Sequence, residues 1–307
     1  KKEMDFVAVR DVITVFEKSE TLSMNIKQDL DGIQKISYDI QTLDGKEVLY
    51  QGEVEKIENS IKLKVGAKLA NGQEAVLKIC MTHNDKPIYY YTRIVKNNDY
   101  HVKECVEYVE ELHTNILKKK NEDAVKKVME PSAQGNNKTL QHVTIHSDMR
   151  HVMWGDLKPE LVNSVQYEIK EVKETYTSIL LRYQGGCSGS YYVNEFFKVA
   201  YGTERVYLLE YDRTVEEVFD TSNKVLSSKG VLLGITDSQV DFRTNEDGTI
   251  VAFVKANELW SYSKTENTFS LVFSFVSRER YDERNYTDDQ IRALTEFQEK
   301  YQGEPTC

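Results

Sequence analysis

Long apolar runs are missing from this sequence. No stretch approaches ~18 consecutive apolar residues, which excludes a transmembrane helix within it. Cysteine is sparse: Cys80, Cys105, Cys187 and Cys307 stand far apart. No Cys-x-x-Cys pair occurs, so a zinc ribbon and a thioredoxin-type redox motif are excluded. Positive charge is short as well. A formal net charge of −10 offers no broad basic face, and no nucleic-acid partner is expected. The one basic run, Lys118-Lys119-Lys120, reads as the close of a helix, where it suits the negative end of the helix dipole. Proline is rare, with four residues against 19 Tyr, and Tyr favours strands. No glycine-rich loop follows a strand at Walker or Rossmann spacing. The acidic stretch "DERNYTDDQ" lacks the spacing and central glycine of an EF-hand.

What is present is a globular composition, 40% hydrophobic and 29% charged, over 307 residues. At ~100–150 residues per domain, this length predicts two to three domains. The fold class expected is α+β, β-rich and multi-domain. Residues 1–97 read as an immunoglobulin-like β-sandwich. "IQKISYDIQT" alternates and ends at Asp44-Gly45, a hairpin signal. "SIKLKVGAKL" alternates and stops at Asn71-Gly72. "EAVLKICMT" meets the polar turn His83-Asn84-Asp85-Lys86, and "PIYYYTRIV" closes the set. The earlier "DFVAVRDVITVF" reads as a further strand or an entry arm.

Residues 98–220 read as an α+β domain, with helices on an antiparallel sheet. "YHVKECVEYVEELHTNILKKK" puts Val102, Cys105, Val106, Val109, Leu112, Ile116 and Leu117 on one helical face. "NEDAVKKVME" reads as a second, shorter helix and "SAQGNNK" as a loop. The strands "LQHVTIH", "SVQYEIKEVKETYTSILLRYQ", "SYYVNEFFKVAYG" and "RVYLLEYDRTVEEVF" follow. Residues 221–307 read as a propeller-blade-like β-meander with a C-terminal helix. There "YTDDQIRALTEFQEKYQG" carries a capping box at Thr287 and Gln290.

The densest chemistry lies in "QHVTIHSDMRHVMWGDL". His142 and His146 are four apart, which on a helix would let both imidazoles hold one metal. The β-branched spacers Val143, Thr144 and Ile145 favour a strand instead. On a strand, residues four apart lie ~13 Å apart, too far to share an ion. His146, Asp148 and His151 then remain as candidates for a small polar or metal-binding cluster at a strand end, near Trp154. No cofactor or metal is expected beyond these candidates.

"GGCSGS" gives Cys187 the spacing of a nucleophile elbow, which requires a helix after the nucleophile. An alternating aromatic strand follows here, so a hairpin loop is the expected structure. Cys80 is read as following a strand and Cys105 as opening a helix; a bridge between them and two free thiols both stay open. Trp154 and Trp260 could stack on a sugar or peptide, but each is read within an apolar strand pattern and is expected in the core.

"ISYDIQTLDGKEVLYQGEVE", "IYYYTRIVKNNDYHVKECVEYVEELH", "VTIHSDMRHVMWGDL" and "NEDGTIVAFVKANELWSY" resemble the N-terminal ectodomain region of large envelope proteins of gut clostridia. The resemblance runs to about Phe275 and ends after Arg278. It implies an N-terminal membrane anchor, a β-sandwich, an α+β middle and propeller-like repeats. It implies the cell surface of a Gram-positive bacterium as location, and it supplies no catalytic residues. The chain opens on Lys1-Lys2 with no initiating Met, as a trimmed chain would, so an anchor outside it is the only membrane contact expected.

The function expected is therefore non-catalytic scaffolding or recognition at the cell envelope, with a surface glycan or a protein as partner. One alternative is an envelope enzyme acting on glycans through two carboxylates ~5–10 Å apart. Another is a sensor ectodomain of an export or polysaccharide-assembly system.

Overall fold

A computed structural model of the chain describes residues 12–274, apart from interruptions at 17–19, 27–29, 66–68, 98–99, 134, 187–189, 223–224, 228–229, 236–239 and 257. The chain is β-rich, 51% strand and 10% helix, with several sheets and no closed barrel. Among the described residues, no helix is long and apolar enough to cross a membrane.

The first part contains β1 (Ile13–Phe16), β2 (Thr21–Asn25), β3 (Ile33–Gln41), β4 (Val48–Glu53), β5 (Ser60–Lys64), β6 (Glu74–His83) and β7 (Lys86–Lys96). Five of these form one sheet in the order β1-β7-β6-β3-β4, and β2 pairs with β5 in a second. The entry segment is thus a strand, and it runs parallel to β7. Alternation explains why the two sheets share a core. Ile61 and Leu63 of β5 and Leu22 of β2 bury the same face that Ile36, Ile40, Leu77 and Ile79 present from the larger sheet. Each such side chain contributes about 1.5–3 kcal/mol on leaving water.

Both expected hairpins form. At the β3–β4 turn the Asp44 carboxylate accepts from the Thr42 hydroxyl at 2.6 Å and the Lys46 amide at 3.2 Å. These bonds lower the Asp44 pKa to about 2. At the β6–β7 turn Asn84 and Asp85 both take left-handed φ values, 48° and 61°. This is the two-residue geometry that matches sheet twist.

The middle part contains α1 (Val102–Leu117), α2 (Glu122–Lys126), β8 (His142–Thr144), α3 (Met149–Val152), β9 (Glu160–Leu161), β10 (Gln166–Val172), β11 (Thr177–Gly186), β12 (Ser190–Tyr201) and β13 (Val206–Glu217). The sheet order is β10-β11-β12-β13-β8, with β9 beside β11. α1 lays Cys105, Val109, Leu112 and Ile116 against Ile179, Leu181, Val193 and Phe197. The helical face is as read from spacing, with two additions: His113 and Asn115 are also buried. Lys118 caps α1, and the Lys119 ammonium donates to the Gly155 carbonyl at 2.5 Å. Ile13 and Val95 share a small apolar cluster with Val102 and Val172, joining the first sheet to the middle part.

The last part contains β14 (Leu226–Ser227), β15 (Gly230–Val231), β16 (Phe242–Thr244), β17 (Ile250–Lys255), β18 (Glu258–Ser263) and β19 (Thr268–Ser274). β16 to β19 form a four-stranded antiparallel meander. Phe219, just beyond β13, meets Phe253 and Trp260 edge-on with ring centroids 5.3 and 5.2 Å apart. The expected C-terminal helix at 286–303, with Thr287 and Gln290, lies outside the described residues.

Candidate ligand-binding face of the central sheet

Strand alternation divides the central sheet into two chemically different faces. In "TSILLRY", "YVNEFFKV" and "YDRTVEE" the even positions point one way and the odd positions the other. Ile179, Leu181, Tyr183, Val193, Glu195, Phe197, Tyr211, Arg213 and Val215 all fall on the buried, helix-covered face. Glu195 and Arg213 are in phase with apolar neighbours, and the fold carries their charges into the core.

There they form one network. Glu195 accepts from the Tyr211 hydroxyl at 3.0 Å and meets His113 Nδ1 at 2.5 Å. The Arg213 guanidinium lies 4.0 Å from Glu195 and donates to the carbonyls of Val152 at 2.9 Å and His151 at 2.7 Å. It also stacks over the Trp154 ring at 3.9 Å. Burial pushes the Glu195 carboxyl up, but His113, Arg213 and the Tyr211 hydroxyl outweigh it and hold the pKa below the usual value. Burial raises Tyr183 and Tyr211 well above ordinary phenols. With Glu195 and Arg213 fully buried, this network is a structural staple joining α1 and the α3 turn to the sheet.

The opposite face carries the site. Register aligns Glu168, Leu180, Phe196 and Asp212 in one row across four strands. Gln166, Arg182, Asn194, Thr214 and His142 form the next row, and Gln184, Tyr192 and Glu216 a third. From these rows Gln166, Leu180, Arg182, Tyr192, Asn194, Phe196, Asp212, Thr214 and Glu216, together with Ala256, line a cavity of about 550 Å³. That size falls within the roughly 300–1,000 Å³ usual for small-ligand sites.

The three charged side chains that line the cavity, Arg182, Asp212 and Glu216, each have an ionisable partner. Arg182 lies 3.6 Å from Glu168, and His142 Nε2 lies 2.6 Å from Asp212 Oδ2. Glu216 lies 3.4 Å from the Lys255 ammonium and accepts from the Ala256 amide at 3.2 Å. Lys255 itself is buried and donates to the Ile235 carbonyl at 2.7 Å. Burial lowers its pKa and Glu216 opposes that shift.

The residues singled out from sequence are only partly brought together. β8 covers His142 but stops at Thr144. The Ser147 hydroxyl accepts the Thr144 amide at 3.0 Å and Thr144 Oγ1 accepts the His146 amide at 3.2 Å, which turns the chain. His146 therefore sits in a turn rather than a strand, and its Nδ1 meets the Glu130 carbonyl at 3.0 Å. Asp148 caps α3 by accepting the His151 amide at 2.9 Å, and its carboxylate meets His151 Nδ1 at 2.7 Å. The His151 ring and amide hold Asp148 below the usual carboxylate range. Among the described residues, no three His, Cys, Asp or Glu converge on a metal position.

Trp154 is buried as expected, but in the turn after α3 with φ +63° and not in a strand. The indole is held there by its stack with Arg213. Together with His151, Leu157, Tyr191, Val215 and Ile235 it lines a second, mostly apolar cavity of about 500 Å³. Trp260 is buried within β18. Cys187 lies outside the described residues, and antiparallel strands β11 and β12 flank it on both sides. Cys80 lies inside β6 rather than after a strand; it and Cys105 are free thiols. Burial raises the Cys105 pKa.

No visible motif marks the outer face. Its signal in the sequence is the phase of Asn194, Phe196, Asp212 and Thr214, which alternate against a buried set that includes Glu195 and Arg213. Compared with known proteins, the chain matches no family model, no curated protein and no solved structure.

Proposed function

We propose that the chain is an extracytoplasmic recognition module of a bacterial cell envelope, binding a surface polymer on the outer face of its central sheet. The observation that carries this reading is the cavity of about 550 Å³ lined by Arg182, Asn194, Phe196, Asp212 and Thr214, side chains the core does not use. The envelope location follows from the resemblance noted above, as does reading the first part as an immunoglobulin-like sandwich and the last as a blade-like sheet.

Carboxylate spacing favours binding over glycoside hydrolysis at this face. Asp212 and Glu216 are four residues apart on one strand, ~13 Å, and Glu168 is three strands from Asp212, ~14 Å. Glycosidases set their pair roughly 5–9.5 Å apart. Each of these acids also already has a partner within the protein.

Co-sedimentation with purified Gram-positive wall material tests the reading. Saturable binding that weakens about tenfold in Phe196→Ala is the expected result, as for a buried aromatic contact. Absence of binding to wall material, or binding indifferent to Phe196→Ala, contradicts it.

A further inference from the structure

We infer that the ligand of this face is a neutral oligosaccharide segment lying across β11, β12 and β13, an inference that rests on the recognition reading above. An anionic polymer would have to lie against Asp212 and Glu216. A cationic peptide would meet the Arg182 guanidinium. Arg182 is paired with Glu168 at 3.6 Å, Asp212 with His142 at 2.6 Å and Glu216 with Lys255 at 3.4 Å, so the charged side chains of the cavity wall are already engaged within the protein.

Gln166, Asn194 and Thr214 have no side-chain hydrogen-bond partner among the described residues, and all three line the cavity. Two amides and a hydroxyl offer both donors and acceptors at short spacing. Adjacent hydroxyl groups of a sugar ring, each both donor and acceptor, complement that mixture. A purely apolar ligand would strand these groups without partners.

The order of side chains along β12 points the same way. Tyr192, Asn194 and Phe196 share one face at steps of ~7 Å, an aromatic, an amide and an aromatic in line. Tyr192 and Phe196 are half-buried, so their rings are held by neighbours and need little ordering on binding. Flat rings of this kind suit the apolar C–H face of a pyranose, while the amide between them addresses its hydroxyl edge. Across the strands, Arg182 and Thr214 flank Asn194 in register, giving the ligand a polar rim on both sides.

Isothermal titration with neutral hexasaccharides (cellohexaose, maltohexaose and N-acetylated chitohexaose), beside polygalacturonate and polylysine, tests the inference. At least one neutral probe should bind, with an affinity unchanged by added salt. Phe196→Ala and Asn194→Ala should each weaken it about tenfold, with circular dichroism unchanged. Salt-sensitive binding of polygalacturonate or polylysine alone would overturn neutrality and leave the recognition reading standing. Binding to wall material with no neutral probe bound would do the same. Neutral-probe binding that ignores both substitutions would overturn the assignment to this face. No binding to any probe or to wall material would remove the recognition reading as well.

Discussion

Replacing Glu195 with Gln removes one charge from the middle of the core and leaves its shape almost unchanged. The side chain is fully buried, as is its counter-charge Arg213 at 4.0 Å. With the carboxylate gone, the guanidinium keeps its carbonyl partners on His151 and Val152 and its stack on Trp154, but loses the opposite charge. Breaking a buried pair by removing one partner costs about 3–5 kcal/mol, because the survivor stays desolvated and uncompensated. The same loss is expected for Glu195→Gln.

Urea unfolding followed by Trp154 emission in a Trp260→Phe background reads this locally, since Trp154 touches Arg213. The double variant Glu195→Leu with Arg213→Met should lose less than the two single variants summed, because it leaves no lone charge. The pH dependence has a defined sign. Glu195 has a lowered folded-state pKa, so its stabilisation is present above the unfolded carboxylate value, about 4.3. That stabilisation is lost as pH falls through the folded value, and Glu195→Gln should lack that part of the acid slope. A loss below about 1 kcal/mol, or strict additivity of the double variant, would refute a coupled charge network here.

Three other outcomes follow from particular residues. Glu258 is buried, with the Trp260 indole N–H and the Ser274 hydroxyl 3.3 Å from its oxygens, and burial raises its pKa to about 7. Its stabilisation is therefore complete below the unfolded value and is lost as pH rises through about 7. The wild type should lose about 3 kcal/mol relative to Glu258→Gln between acid and alkaline pH, and parallel pH profiles in melting experiments would contradict this. Asn84→Val should destabilise the β6–β7 hairpin by about 1–2 kcal/mol, because a β-branched residue resists left-handed φ, while Asn84→Gly should be nearly neutral in chemical denaturation. Iodoacetamide should leave Cys105 unmodified in the native protein and label it in urea, which peptide mass spectrometry reads directly.

Local chemistry was readable wherever it decided the structure. Asp44-Gly45 and Asn84-Asp85 mark their hairpins because turn backbone geometry admits few residues. α1 was readable from its apolar spacing, and β11 to β13 from their alternation. Long-range pairing was not readable. Nothing near Thr21–Asn25 says that it pairs with Ser60–Lys64, and nothing near Ile13 says that it runs parallel to β7. Trp154 looked like strand because the stack with Arg213 that holds it in a left-handed turn comes from β13, some sixty residues later in the chain.

His142, His146 and His151 lie on one short segment, whereas the candidate site is assembled from β10 to β13. His142 reaches it only through its bond to Asp212. The buried Glu195 and Arg213 did leave a trace, since they share the phase of Val193, Phe197, Tyr211 and Val215. Period-two counting that ignores charge would have found them, and would then have put Asn194, Phe196, Asp212 and Thr214 on the open face.

Transverse-relaxation-optimised NMR of the labelled protein, titrated with solubilised wall polysaccharide, tests the binding face most directly. Shifts should concentrate in the side-chain amides of Gln166 and Asn194 and around Arg182, Phe196, Asp212 and Thr214, with β2 and β5 silent. Shifts centred on the first part or the C-terminal meander, with those side-chain amides unmoved, would contradict it.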